Sequence, residues 1–215
     1  MSGAEASLVL GIVSSIITII DKAKDVFDAV KDAKGQPEAF REVAGRLPIV
    51  QGILVAAEKR IKEDDVGEES CKEVEPTVKA CKSKAKKLQD IFKKALPGPG
   101  ASTMERYIKA VKMLGKENKV ESLMKGILED IQLLTSHQIL FDMTTDQEEQ
   151  LGKALADVSA LEPSIPEQLL QDSAFTNILY GDGSQYNSNA GHQYINPGSG
   201  KQFNAETIHY GKDCD

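Results

Sequence analysis

The chain has 215 residues, 27% of them charged, and a formal net charge of -7. That length supports one well-buried domain with a remainder, and the acid excess argues against a nucleic-acid binder, which needs a broad basic face to neutralise phosphates. The cysteines Cys71, Cys81 and Cys214 form no metal-ligand pattern, and their odd number fits a reducing cytosol better than a disulfide scaffold.

The first predicted helix covers about residues 4–33, with Leu8, Val9, Leu10, Ile12, Val13, Ile16, Ile17, Ile19 and Ile20 crowding nearly every face. A helix of that kind sits at a bundle centre or in lipid. Glu5 stands where a secretory signal would carry basic residues, so no signal peptide is expected. The uncharged stretch 6–20 is also shorter than the roughly 20 residues of a stable single span. Small residues fall at every fourth position, Gly3, Ser7, Gly11 and Ser15, which makes one stripe where another helix backbone can approach closely. A core helix and a glycine-zipper-like membrane segment both satisfy this pattern.

Pro37 suits the first turn of a second helix running through Phe40, Val43, Leu47, Val50 and Leu54 towards Ile61, with a bend expected at Pro48. A third helix over about 74–96 turns Val78, Cys81, Ala85, Leu88 and Phe92 inward. Its other side carries seven lysines between 79 and 94 against one acid, Asp90. These read either as a solvated face or as a patch for anionic lipid head groups, with Lys82, Lys84, Lys86 and Lys87 as candidate contacts. Pro97-Gly98-Pro99-Gly100 stops the helix. Ser102 or Thr103 then caps a fourth, with Glu105 in its first turn and Tyr107, Ile108, Val111 and Leu114 on the buried side. A fifth follows Gly115 through Val120, Leu123, Met124, Ile127, Leu128, Ile131 and Leu134, continuing to Ile139 and Leu140. Thr145 with Glu148 three residues on reads as a capping box opening a last helix that ends near Ala160. The expected fold is an all-α bundle of five or six helices over 1–160, a linker over 161–175 and a tail over 176–215 that is disordered in the monomer and amyloid-competent.

The tail repeats one phrase three times: Gly183-Ser184-Gln185-Tyr186-Asn187, Gly191-His192-Gln193-Tyr194-Ile195-Asn196 and Gly200-Lys201-Gln202-Phe203-Asn204. Their starts lie eight and nine residues apart, too close for a solenoid repeat with its own core. In stacked copies of the chain each Gln would form an amide ladder and each ring would stack on itself. No phosphate loop, dinucleotide fingerprint, HExxH or paired-cysteine motif occurs. His137 reads as a helix-boundary or core residue, and His192 and His209 lie in the tail. The expectation is a protein that is not an enzyme and uses no cofactor or metal.

The run Ser7-Leu8-Val9-Leu10-Gly11-Ile12-Val13-Ser14-Ser15-Ile16-Ile17, continued by Val26-Phe27-Asp28-Ala29-Val30 and by Pro37-Glu38-Ala39-Phe40-Arg41-Glu42-Val43, strongly resembles the fungal HeLo-like domain. The Gly-x-Gln-aromatic tail is similar to the fungal prion-forming motif related to RHIM. Together they resemble the HELLP-type cell-death effectors of fungal innate immunity and heterokaryon incompatibility. The resemblance implies that a NACHT receptor of the NLR type with a matching motif templates the tail into amyloid, and that the bundle then moves from the cytoplasm to the plasma membrane. It makes Gly3, Ser7, Gly11 and Ser15 the membrane stripe. The templating core becomes Gly183, Gln185, Tyr186, Gly191, Gln193, Tyr194, Gly200, Gln202 and Phe203. The implied partners are the chain itself, the receptor and anionic membrane lipids. A non-lytic adaptor that only nucleates assemblies is the alternative.

Residues 173–215 alone are expected to form fibrils with a strand repeat of about 4.8 Å. Assembly should be slower near pH 5 than near pH 8, because protonated His192 would stack on its own charged copies. Dye binding and fibre diffraction check this. A tail that stays monomeric at high concentration contradicts the amyloid reading, and equal rates at the two pH values contradict the role given to His192.

Overall fold

The computed structural model describes residues 3–29, 37–63, 68–96, 102–137 and 143–170. Every regular element among them is helical: α1 (Gly3–Asp28), α2 (Glu38–Glu63), α3 (Glu68–Ala95), α4 (Thr103–Leu114), α5 (Val120–Thr135), α6 (Thr145–Ser159) and the single turn α7 (Glu167–Leu170). The architecture is the all-α bundle, with six long helices. α3 runs through its middle, packed on α1, α4 and α5, while α2 lies against α1, α5 and α6.

Helical spacing explains that placement. Cys71, Val74, Val78, Cys81, Ala85, Leu88 and Phe92 step along one side of α3 and are all buried. α3 therefore begins six residues before the start expected at 74. The apolar row extends back to Cys71, and Pro76 is accommodated inside the helix. α2 likewise continues through Pro48. Four rings tie the long helices together: Phe27 on α1 lies 6.0 Å from Phe92 on α3, Phe92 stacks at 5.3 Å on Phe40 of α2, and Phe40 meets Tyr107 of α4 edge-on at 4.7 Å. Ring pairs of this kind contribute about 0.5–1.5 kcal/mol each beyond the area they bury.

The helix ends follow from local chemistry. Ser102 caps α4: its hydroxyl accepts from the Glu105 N–H, and the Glu105 carboxylate accepts from the Ser102 N–H. Gly115 ends that helix at φ 110°, a conformation that L side chains rarely adopt. The capping box of α6 lies one residue earlier than expected, on Thr144 and Gln147 instead of Thr145 and Glu148. Thr144 has the extended backbone a cap needs, whereas Thr145 is already helical. Ile139 and Leu140 lie outside the described residues.

The compact unit runs to Leu170, so the first ten residues of the span expected as linker belong to it. Ile165 and Leu170 are buried, and a polar network fastens the strap between them and α6. Ser164 donates its N–H to Glu121 Oε1 at 3.0 Å and its hydroxyl to Glu121 Oε2 at 2.6 Å. Since that uses the one hydroxyl proton of Ser164, the Tyr107 hydroxyl, 2.7 Å away, must be the donor to it. The same Tyr107 oxygen accepts from the N–H of Val120, the first residue of α5. Burial first, then the Glu121 charge, push the Tyr107 ionisation well above its ordinary range, which keeps the phenol neutral.

Tyr107→Phe keeps the ring contacts and removes the oxygen that satisfies Val120. It should cost about 1–3 kcal/mol, because a buried donor loses its partner. Ser164→Ala takes away the acceptor of the buried Tyr107 hydroxyl and one of the two bonds to Glu121, so it should cost a similar amount, about 1–3 kcal/mol. Urea unfolding of the two variants checks this, and either variant as stable as wild type contradicts it.

Candidate functional site

α1 is covered by the bundle on one side only. Val9, Ile12, Val13, Ile16, Ile20, Ala23 and Phe27 are buried against the core. Leu10, Ile17 and Ile19 are partly buried, and Leu8 is 45% exposed. The middle of the small-residue stripe lies on the open side. Gly3 begins the helix, Ser7 and Gly11 are exposed, and Ser15 is partly covered where α1 meets α3. A Cβ built on Gly11 would meet nothing within 4 Å, so no packing demand of the resting bundle explains the glycine.

Polar ties hold this helix in place. The Ser14 hydroxyl donates to Glu58 of α2, and the Gln51 amide of α2 donates to Asp21 at 2.5 Å. From α3, buried Gln89 donates to the Ile19 carbonyl at 3.3 Å and accepts from Lys86 Nζ at 3.0 Å. The Glu58 carboxyl is held below its ordinary value, first by the Ser14 hydrogen bond, with desolvation opposing and Lys62 helping.

Where α1 and α3 meet, Ser15, Thr18 and Ile19 face Gln89 across a groove of about 500 Å³. Four lysines surround it: Lys22 from α1 and Lys82, Lys86 and Lys93 from α3. Short side chains on one wall and long ones on the other leave the hollow. None of its eight lining residues is acidic; Asp90, outside the lining, pairs with Lys86 at 3.1 Å. Of the four lysines expected to contact lipid, Lys82 and Lys86 line this groove. Lys84 instead pairs with Asp130 of α5 at 2.6 Å, and Lys87 donates to Asn118 just before α5 at 3.0 Å. Residues 82, 86 and 93 share a helix face, while 84 and 87 lie on another. Lys93 is legible from the spacing of α3, whereas Lys22 joins the site only through the fold.

Other reactive groups are quiet. The Cys81 thiol is pushed up to about 12 by burial, then by Asp130, against Lys84. Cys71 is raised by burial and Glu5. Both are protonated and sheltered, the state of an inert structural thiol. His137 follows α5, its Nδ1 3.5 Å from Glu73 of α3. The templating residues Gly183, Gln185, Tyr186, Gly191, Gln193, Tyr194, Gly200, Gln202 and Phe203 lie outside the described residues.

Comparison with known families is consistent with this two-part layout. Residues 13–134 match SesA, the N-terminal domain on NACHT NTPases and P-loop NTPases. Residues 172–210 match the sigma domain on NACHT-NTPases. No curated protein and no solved structure matches the chain. Because the first match covers more than half of the 215 residues, the chain belongs to the SesA family. It runs from the middle of α1 almost to the end of α5, and the second match encloses all three tail phrases. The families matched are thus SesA and sigma, where the sequence resemblance was to HeLo-like and RHIM-like units; association with NACHT NTPases is common to both descriptions.

Removal of the Ser14 tie should be visible in the pH dependence of stability. A carboxyl depressed in the folded state stabilises above its ordinary value of 4.5 and loses that contribution as pH falls through the folded value. Ser14→Ala should therefore be less stable than wild type near neutrality, with the difference shrinking in acid. Thermal unfolding across the acid range checks this, and a constant difference contradicts it.

Proposed function

We propose that the chain is a non-enzymatic cell-death effector of a NACHT-NTPase system, with a HeLo-like mode of action and an amyloid tail that accepts a template from an NLR-type receptor. In this reading it rests in the cytoplasm, and tail polymerisation delivers α1 to the plasma membrane. The observation that carries the proposal is α1: by length and composition Ala4–Asp28 can cross a membrane, yet only 28% of its most apolar stretch is buried in the bundle. A helix serving only as a core would also bury Leu8, which is 45% exposed, and cover Leu10, Ile17 and Ile19 fully. Support for the input side comes from the match to a sigma domain over the Gly-x-Gln-aromatic phrases.

Tail assembly would supply what one helix lacks. Bundles tethered along a fibril meet the membrane at a high effective concentration, so insertion of the first helix makes that of its neighbours an intramolecular event. The stripe of Gly3, Ser7, Gly11 and Ser15 would then be the surface on which inserted helices pack.

Gly11→Glu separates these roles. Gly11 is exposed with open space beside it, so the variant should fold and be as stable as wild type or up to about 1 kcal/mol more so, glutamate being the better helix former. A charged carboxylate at mid-helix opposes insertion by about 3 kcal/mol per chain, so fibrils should still form while vesicle leakage and toxicity are lost. Undiminished leakage by the seeded variant overturns the membrane stripe. Absence of leakage by seeded wild type favours the non-lytic adaptor.

A further inference from the structure

Lys22, Lys82, Lys86 and Lys93 come from two helices to one hollow that no acidic residue lines. Among the described residues Lys22, Lys82 and Lys93 have no ion-pair partner, in contrast to Lys79 on Glu75, Lys84 on Asp130 and Lys72 on Glu68. In a chain of net charge -7 this is local positive charge without local compensation. A concave site lined by one sign of charge focuses its field and concentrates counter-ions of the other sign.

The shape narrows the ligand. Residues 82 to 93 span about 16 Å of helix at 1.5 Å per residue, so the lysines border an elongated trough. Ser15 offers a hydroxyl within it, Thr18 lines it with its own hydroxyl donated to the Ser14 carbonyl at 3.0 Å, and Ile19 lends it an apolar patch. Gln89, 2% exposed, donates to the Ile19 carbonyl and accepts from Lys86, which braces the floor and one of the ammonium groups. Lysine acts as a point charge towards phosphate, and several ammonium groups around one trough suit a group with more than one negative charge. A phosphomonoester carries about -1.5 to -2 at neutral pH, whereas a phosphodiester carries one charge. Ile19, one of the partly buried apolar residues of α1, lines the trough itself, so the acyl portion of a ligand meets apolar surface there.

We propose that the α1–α3 groove binds the phosphomonoester head group of an anionic membrane lipid and so docks α1 on the bilayer before any insertion. The proposal rests on the membrane reading above and adds the lipid class and the order of events. Docking is a property of the folded, unassembled chain; leakage requires assembly and the stripe.

The test uses full-length unseeded protein and phosphatidylcholine vesicles. These carry either a monophosphorylated phosphatidylinositol or phosphatidylserine, matched for total surface charge. Wild type should bind the phosphomonoester vesicles at least tenfold more tightly. Lys82→Ala/Lys86→Ala/Lys93→Ala should lose that preference, and so should Thr18→Trp, which fills the trough without changing charge. Lys109→Ala/Lys112→Ala, which removes exposed lysines of α4, should keep it. Equal binding to both vesicle types, or a preference unchanged in the groove variants, overturns the proposal. Binding of soluble inorganic phosphate with no vesicle preference overturns the lipid as occupant. Gly11→Glu distinguishes the two readings: it should still dock on phosphomonoester vesicles. If seeded wild type leaks vesicles without any head-group preference, the groove assignment fails and the membrane reading stands. If wild type docks selectively but seeded fibrils never leak, the membrane reading fails instead.

Discussion

α1 carries more apolar surface than the bundle can cover, and the rest of the structure accommodates that excess. Its buried side supplies Val9, Val13, Ile16 and Ile20 to the core, and Phe27 joins the ring column through Phe92 to Phe40 and Tyr107. Its other side leaves Ser7, Leu8 and Gly11 exposed. The helix is therefore fastened by specific polar ties as well as by burial: Ser14 to Glu58, Asp21 to Gln51 and the Ile19 carbonyl to Gln89. Such ties contribute modestly to stability, about 0.5–1.5 kcal/mol for a typical neutral hydrogen bond, but they fix rotation about the helix axis. Rotation decides which side of an almost uniformly apolar helix faces solvent, and hydrophobicity alone cannot decide it.

The strap has a related logic at the other end of the chain. Leu170 is buried two positions before residue 172, where the sigma-domain match begins. The Ser164–Glu121–Tyr107 network thus anchors the chain immediately ahead of the tail to the N-terminus of α5 and the core face of α4. Tyr107 is fully buried and Glu121 nearly so, and a sheltered network with its polar groups satisfied favours one arrangement of the strap.

Much of this was legible in the residues. The inward row of α3, the Ser102 cap and the Gly115 stop follow from periodicity and turn chemistry, which are local. What escaped was mostly non-local. Reading Lys82, Lys84, Lys86 and Lys87 as one patch passes over a local signal, since the helical period already puts 84 and 87 on another face; what the period does not tell is what each face meets. In the fold α5 takes Lys84, and Asn118 takes Lys87. Lys22 is about sixty positions from Lys82 in sequence and joins it only because α1 lies along α3. The strap escaped because Leu161-Glu162-Pro163-Ser164-Ile165-Pro166 has no helical or strand period, and its two prolines read as linker. Its order comes from one buried isoleucine and a serine whose partners lie 43 and 57 residues earlier. The α6 cap was misplaced by one residue for a simpler reason: two adjacent threonines, Thr144 and Thr145, each have a glutamine or glutamate three residues on.

The uncovered apolar surface would also set the energetics of the proposed departure of α1 from the bundle. Moving the buried side of α1 from core to hydrocarbon exchanges one apolar surrounding for another, so that side contributes little net change. Covering Leu8 and the exposed parts of Leu10, Ile17 and Ile19 is a gain, at about 25 cal/mol per Å² of apolar area removed from water. Against it stands the wall that α1 leaves behind on α2 and α3. Residues there that cover α1 now would face water, and a fully exposed large aliphatic or aromatic side chain costs about 1.5–3 kcal/mol. A few such side chains outweigh the gain from the exposed side, and the resting fold prevails for a single chain. The balance reverses only if the vacated wall finds another cover, either the bilayer surface or the equivalent wall of a neighbouring bundle. Under the proposed mechanism, copies held side by side by an assembled tail would provide such a neighbour, whereas a dilute monomer has none. The tail would then act on the cost of exposing α2 and α3, and α1 itself would need no change in its affinity for lipid.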